Sequence, residues 1–142
     1  MKTVRELLQN KGGAIFSIAP DARVFEALKL MADKEVGALV VVDGGRLAGI
    51  LSERDYARKV ILHGKSSQEI AVRDIMTAKV VTVRLSQTVD ECMALMTDRR
   101  IRHLPVLEGE RLIGVLSIGD LVKAVIEDQR ETIKQLETYI RS

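Results

Sequence analysis

Two short segments of the chain combine a glycine, a serine and an aspartate at the same spacing. They are Gly49-Ile-Leu-Ser52-Glu-Arg-Asp55 and Gly114-Val-Leu-Ser117-Ile-Gly-Asp120. A serine with an acidic residue three positions later is typical of a capping box at the start of a helix. The free N–H groups of a helix start could also bind a phosphate, and the aspartate could accept hydrogen bonds from both hydroxyls of a ribose. Capping does not explain the glycine, because a glycine within a strand often marks the close approach of another group.

The other residues that could carry chemistry are few and poorly spaced. Cys92 lies on the apolar face of a predicted helix, which favours a buried thiol over a nucleophile. Two histidines and one cysteine form no zinc pattern, so we expect no metal site. The segment Gly109-Glu-Arg-Leu-Ile-Gly114 has the glycine spacing of a phosphate-binding loop, but Val115 follows it where that loop has lysine. No serine has a base and an orienting residue near it in the sequence, and we therefore expect no catalytic residue and no enzyme activity.

The composition is that of an ordinary globular protein. Of 142 residues, 46% are hydrophobic and 30% are charged, with a net charge of +2. The absence of a like-charge block and an aromatic content of 3% argue against nucleic-acid binding. The single cysteine allows no internal disulfide, and no apolar run is long enough for a signal peptide or a membrane span. We expect a cytoplasmic protein that does not associate with membranes.

The two segments end two copies of one longer unit. Residues 17–61 align with residues 82–126 without a gap and are identical at 16 of 45 positions. Each copy has a helical apolar pattern, then two short apolar runs around a turn, then a second helix, with a further short strand at residues 15–18 or 80–83. We therefore expect an α+β fold of two β-α-β-β-α repeats at residues 3–62 and 71–126. Residues 63–70 link them, and residues 127–142 form a helical extension.

The last helix of the second repeat overruns its counterpart in the first. Its apolar residues keep helical spacing to the end of the chain: Leu121, Val125, Ile133, Leu136 and Ile140. This apolar stripe either meets a partner surface or folds back on its own domain.

The combination of these motifs is specific. Two repeats that end in glycine, two apolar residues, serine and an aspartate three positions on, with Ile101-Arg-His-Leu-Pro-Val106 in the second, resemble a tandem cystathionine-beta-synthase (CBS) domain pair, or Bateman module. The resemblance covers residues 3–126 and is closest to stand-alone bacterial CBS-pair proteins. It implies two repeats related by a pseudo-two-fold axis, two nucleotide-binding clefts between them, and assembly as a homodimer.

The resemblance also implies which residues line the clefts. Each cleft would take its ribose-binding serine and aspartate from one repeat and its adenine-flanking and phosphate-contacting residues from the other. The first cleft would contain Ser52, Asp55, Thr77, Val80, Val81, Arg102 and His103, with charge added by Arg54 and Arg58. The second would contain Ser117, Asp120, Ala14, Ile15, Gly37 and Ala38. Only the first has obvious cations for phosphates. The aspartates could also be caps alone, and Arg102 and His103 could simply face solvent.

These patterns favour a regulatory module. We expect it to bind AMP, ADP, ATP or NAD, without a catalytic cofactor, and to report energy or redox state to a separate effector protein. The alternative is an interaction or dimerisation scaffold with vestigial nucleotide clefts.

Overall fold

The computed structural model describes residues 2–141, which form two compact units. The first, here called the Asp55 unit, contains Ala14–Val81 and Glu110–Leu112. The second, the Asp120 unit, contains the chain up to Gly13, Thr82–Gly109 and the chain from Ile113 onwards. The units cut across the two sequence repeats, because the first helix of each repeat belongs to the unit built mainly from the other.

The Asp55 unit is a small sheet covered by helices. Its elements are β1 (Ser17–Ile18), α2 (Val24–Lys34), β2 (Ala38–Asp43), β3 (Arg46–Ser52), α3 (Glu53–Lys59) and α4 (Val72–Ile75), with a 3₁₀ turn at Ile61–His63. The sheet order is β1-β2-β3, in which β1 is parallel to β2 and β2 pairs with β3 as an antiparallel hairpin. The strand expected at residues 15–18 is reduced to its last two residues.

The core of this unit follows from the apolar spacing of α2. Val24, Ala27 and Met31 recur every three or four residues, so they share one face of the helix. That face is buried against alternate residues of the hairpin, including Leu39 and Leu51.

The Asp120 unit repeats this plan, but its first strand is shorter and its last helix is longer. Its elements are α1 (Val4–Lys11), α5 (Val89–Arg99), β4 (His103–Glu108), β5 (Arg111–Ser117, which belongs to this unit from Ile113 onwards) and α6 (Ile118–Arg141), and β4 pairs with β5. The strand expected at residues 80–83 shrinks to one parallel bridge between Val83 and Val106. The predicted α+β class, both hairpins and the long last helix are confirmed.

Backbone hydrogen bonds attach each short helix to its unit. In the Asp55 unit, Val72 N–H donates to Ala22 O at 2.8 Å, and Val24 N–H donates to Ile70 O at 2.9 Å. In the Asp120 unit, Val89 N–H donates to Lys2 O at 3.0 Å. The first helical residue of each short helix is fully buried, at Val4 and Val72. The short helices are therefore fixed parts of the two cores.

Helix α6 has an inward and an outward part. Leu121 and Ala124 are buried, whereas every residue from Gln129 to Arg141 is exposed. In the described part of the chain, the extension projects from its unit and does not fold back on it. Within residues 2–141, no helix has the length and apolar character needed to cross a bilayer.

Candidate functional site

The start of α3 is a complete capping box. Ser52 Oγ accepts a hydrogen bond from Asp55 N–H at 3.2 Å, and Asp55 Oδ2 accepts from Ser52 N–H at 3.0 Å and from Ser52 Oγ at 3.1 Å. These bonds satisfy backbone donors that a helix start would otherwise leave unpaired. The second carboxylate oxygen, Oδ1, lies outside the box.

The start of α6 has the same box with nearly the same distances. Asp120 N–H donates to Ser117 Oγ at 3.2 Å, while Asp120 Oδ2 accepts from Ser117 N–H at 2.8 Å and from Ser117 Oγ at 3.1 Å. Both aspartates are therefore caps, as one of the two sequence interpretations required. A carboxylate oxygen has more than one lone pair, so a cap can also accept hydrogen bonds from a ligand.

The two carboxylates differ in the ammonium groups beside them. Lys59 Nζ, one turn further along α3, is 3.4 Å from Asp55 Oδ1 and donates to Ile75 O at 2.9 Å. In the Asp120 unit, Lys11 Nζ from the end of α1 lies 2.7 Å from Asp120 Oδ2. At Asp120 the ammonium therefore bonds the oxygen that already accepts two bonds from Ser117.

The sequence reasoning missed Lys11. Its contact with Asp120 spans 109 positions, and the second cleft was expected to lack an obvious cation. The only signal for its placement was the match of residues 4–8 to residues 72–76, which shows that the short helices correspond but not which hairpin each one contacts.

Charge and burial fix the protonation states around Asp120. Burial acts to raise the pKa of Asp120, but the Lys11 ammonium and the hydrogen bonds from Ser117 outweigh it and hold this pKa below its ordinary value. Burial lowers the pKa of His103, as do the charges of Lys11 and Arg102, and the opposing charge of Asp120 does not compensate. At neutral pH the site therefore has an ionised carboxylate at Asp120 and a neutral imidazole at His103.

The glycines in the two strands are explained by the protein itself. A Cβ at Gly49 would lie 2.7 Å from Met76 Sδ and 2.9 Å from the backbone oxygen of Thr77. A Cβ at Gly114 would lie 2.7 Å from Leu8 Cδ2. A group does come close to each glycine, as predicted. The group is Met76 and Thr77, just after α4, at Gly49, and Leu8 of α1 at Gly114. Both belong to the protein, so these glycines do not indicate a ligand.

The segment beside each helix start differs between the units. Helix α4 ends at Ile75, and Thr77 then pairs with Ile50 through two backbone hydrogen bonds of 2.9 and 3.0 Å. Helix α1 continues to Lys11, whose ammonium donates to Val115 O at 2.6 Å. Val115 is the repeat counterpart of Ile50. The exposed residue Thr77 therefore lies beside the Asp55 site, whereas the Lys11 side chain takes the equivalent place beside the Asp120 site.

The remaining predicted residues fall into the two units unevenly. Gly37 O accepts from Glu53 N–H at 3.0 Å, and Arg102 O accepts from Ile118 N–H at 2.8 Å. The backbone before each hairpin thus meets the helix start of its own repeat. The pairing of residues from different repeats into clefts stays a prediction. The Asp55 unit contains Ala14, Ile15, Gly37, Ala38, Ser52, Arg54, Asp55, Arg58, Thr77, Val80 and Val81, and the Asp120 unit contains Arg102, His103, Ser117 and Asp120.

Metal and thiol chemistry find no support in the described residues. Between Lys2 and Arg141, no three His, Cys, Asp or Glu side chains are grouped so that they could hold a metal ion. Cys92 is fully buried, and burial raises the pKa of its thiol to about 11. It is a core residue, as its position on the helix predicted.

The comparisons with known proteins agree on one family. The sequence model of the CBS domain matches residues 4–62 and 72–127. A mitochondrial CBS domain-containing protein of Arabidopsis thaliana, CBSX3, is 44% identical over 98% of this chain and 72% of its own length. The structure of a CBS-domain protein from Burkholderia ambifaria MC40-6 is 56% identical, with a TM-score of 0.87 over 90% of this chain and 96% of that one.

A more distant structure shares the fold. The CBS domain pair of protein MJ0100, in complex with 5′-methylthioadenosine and S-adenosyl-L-methionine, is 23% identical, with a TM-score of 0.80 over 90% of this chain and 98% of that one. Two family matches that together span both repeats leave no other assignment: the chain belongs to the CBS domain family and carries two tandem CBS repeats.

Proposed function

We propose that this protein is a regulatory module that binds an adenine nucleotide at Asp55 and reports energy or redox state to a separate effector protein. The observation that carries the proposal is the Asp55 carboxylate. Its Oδ2 is held by the capping box, while its Oδ1 lies outside the box, 3.4 Å from the Lys59 ammonium. A fixed, partly exposed carboxylate of this kind suits the two hydroxyls of a ribose.

The surroundings of Asp55 support a phosphorylated ligand. Arg54 and Arg58 are exposed on α3, one helical turn apart, with Arg54 in the first turn and Arg58 in the last. Guanidinium groups bind phosphate oxygens through paired hydrogen bonds. Thr77 is exposed and is fixed beside β3 by its two backbone hydrogen bonds to Ile50, so it can border a bound base.

The proposed ligand class is AMP, ADP, ATP or NAD. The MJ0100 pair holds two adenosine-containing molecules, so the fold is compatible with adenosine, although the likeness to this chain extends to the fold alone. Binding, and not catalysis, is the proposed activity, with no catalytic cofactor and with the protein acting as a homodimer.

Calorimetric titration with AMP tests the proposal. Asp55→Ala removes hydrogen bonds to a charged acceptor, worth about 1.5 to 3 kcal/mol, and should weaken binding roughly 10- to 150-fold. Asp55→Asn should also weaken binding while costing little stability, because asparagine retains an oxygen that can accept at the helix start. Asp120→Ala is the matched control, since it removes the same capping carboxylate from the other unit.

The capping interpretation predicts a different pattern. If Asp55→Ala lowers the unfolding free energy by about 1 kcal/mol and leaves the AMP affinity unchanged, the carboxylate is a cap alone and the proposal fails. GMP should bind more weakly than AMP. Equal affinities for the two nucleotides would contradict the proposed specificity for adenine.

The second candidate function is a scaffold with vestigial sites. It is favoured by the exposed apolar residues of α6 and by capping boxes that are complete without a ligand. A protein that binds none of AMP, ADP, ATP or NAD at physiological concentration, but self-associates, would be this scaffold.

A further inference from the structure

The outward face of α6 has the spacing of a coiled coil. Five of its apolar residues are exposed by 42 to 81%: Val122, Ile126, Ile133, Leu136 and Ile140. Successive steps of four, seven, three and four residues place them at the core positions of a heptad repeat, usually lettered a and d. The one remaining core position in this stretch is Gln129, which is also exposed. We call these six residues the α6 stripe.

The stripe is distinct from the face that packs inside the Asp120 unit. Leu121 and Ala124 are buried there, and the inward face ends near Asp128. The stripe begins at Val122, about 100° around the helix axis from Leu121, and continues to Ile140, a length of about 27 Å at 1.5 Å per residue. It therefore spans both the packed part and the projecting part of α6.

The projecting part needs a partner to be stable as a helix. Residues 129–141 bury no side chain in the described structure, and a helix of about 12 to 15 residues is marginal in water without packing. The apolar residues on this part are concentrated on the stripe, so the stripe is the surface that a partner would cover.

We propose that the α6 stripe pairs in parallel with the same stripe of a second copy of this chain, as a short two-stranded coiled coil. All three a positions are isoleucine: Ile126, Ile133 and Ile140. β-Branched residues at a, with leucine at d as at Leu136, favour two parallel strands over larger assemblies. This inference deepens the proposed homodimer by naming its contact surface.

The polar residue in the stripe favours the same partner. A glutamine amide has two donor hydrogens and an acceptor oxygen, so it is complementary to itself. In a parallel, in-register pair Gln129 meets Gln129 of the other copy and both amides are satisfied. An apolar groove of another protein would leave that amide unpaired, at a cost typical of a buried polar group. A single polar core residue also fixes register, which the isoleucines alone would not.

Dilution followed by light scattering on the full chain tests the surface. Ile133→Glu places a charge in the middle of the stripe and should raise the dimer dissociation constant by roughly 30-fold or more, the effect typical of an interface hot spot. Gln135→Glu, two residues away and exposed off the stripe, is the matched control and should leave the dissociation constant unchanged. A monomeric parent protein, or equal effects of the two variants, would overturn the proposal.

Cysteine crosslinking tests the orientation. In the parallel pair, Gln129→Cys brings two thiols together and should form an intermolecular disulfide far faster than Gln135→Cys under the same oxidant. The native Cys92 is buried and does not interfere. Equal crosslinking rates would refute the parallel register. Calorimetric titration of Ile133→Glu with AMP distinguishes a failure of this proposal from a failure of the proposed nucleotide binding. The Asp55 site should bind AMP whether or not the α6 stripe pairs.

Discussion

Replacement of Gly49 by alanine should destabilise the protein much more than the same change at its repeat counterpart, Gly114. The added methyl at Gly49 meets Met76 Sδ at 2.7 Å and the Thr77 backbone oxygen at 2.9 Å. The sulfur can rotate away, but the Thr77 oxygen cannot, because it is held in the two-bond pair with Ile50. We expect Gly49→Ala to cost about 2 to 3 kcal/mol, the upper part of the range for overpacked cores.

At Gly114 the methyl meets only the end of a flexible side chain. Leu8 Cδ2 and Cδ1 would lie 2.7 and 3.1 Å from it, and a change of leucine rotamer relieves both contacts. We expect Gly114→Ala to cost about 1 kcal/mol. Gly13→Ala is the control, since a Cβ there would meet no described heavy atom within 4 Å, and it should change stability by less than about 0.5 kcal/mol.

Urea unfolding followed by circular dichroism measures these differences. In the Gly49→Ala background, Met76→Ala should restore only part of the lost stability, because it removes the sulfur contact and leaves the Thr77 contact. Equal losses at Gly49 and Gly114 would refute the reasoning, since the two sites would then not differ in what the methyl meets. Gly49→Ala should also weaken AMP binding, because any relief of the clash moves Thr77 away from the proposed site.

Three further changes test the electrostatics and the core. A double-mutant cycle of Lys11→Met and Asp120→Asn should give a coupling of about 0.5 to 1 kcal/mol in urea unfolding, because the side chains are 37% and 25% exposed and water screens the pair; a value near zero would show that the contact is not formed in solution. The pKa of His103 is lower in the folded chain than its ordinary 6.5, so the unfolded chain binds the extra proton and stability should fall as pH drops below about 6.5. His103→Gln should flatten that part of the pH profile, and an unchanged profile would assign the effect to another group. Cys92 should resist thiol reagents in the native state and react in urea, and fast native labelling would contradict its burial.

Local patterns in the sequence predicted local structure well. Each capping box involves residues three apart, and each hairpin involves two apolar runs joined by a turn, so the interacting groups are visible in one short window. The same is true of α2, which follows the helical apolar pattern and buries Val24, Ala27 and Met31. Such features need no knowledge of the distant chain.

Contacts between distant segments could not be predicted in this way. The repeat comparison made the short helices look equivalent, yet α1 runs to Lys11 whereas α4 stops at Ile75. Helix ends depend on what the next residues pair with, and Thr77 leaves the helix to pair with Ile50 of β3. The place of Lys11 at Asp120 is a consequence of that difference in helix length, which no short-range pattern contains.

The in-strand glycines show a further limit of sequence reasoning. A glycine in a strand indicates that some group comes close to it. The sequence does not show whether that group is a ligand or another segment of the same chain, because both require the same glycine. At Gly49 and Gly114 the group belongs to the protein, so the glycines give no support for a ligand, and the proposed site rests on Asp55 and the groups around it.

The two repeats provide an internal comparison of those carboxylates. Their capping boxes agree in geometry, but Lys59 has Ala124 as its repeat counterpart, and the ammonium at Asp120 comes from Lys11 instead. A ribose at Asp120 must displace a 2.7 Å ion pair worth up to about 1 kcal/mol, whereas at Asp55 the competing contact is a 3.4 Å pair along one helix, worth about 0.3 to 0.5 kcal/mol.

We therefore expect AMP to bind first at Asp55 and, where a second molecule binds, a few-fold more weakly at Asp120. Lys11→Met should strengthen that second event by up to about 5-fold without changing the first, because it removes the competing ammonium from one carboxylate only. Calorimetric titration of the parent protein, Lys11→Met and Asp55→Ala resolves the two events. If Lys11→Met weakens the second event instead, Lys11 is a phosphate ligand and not a competitor, and the order of the two sites must be reversed.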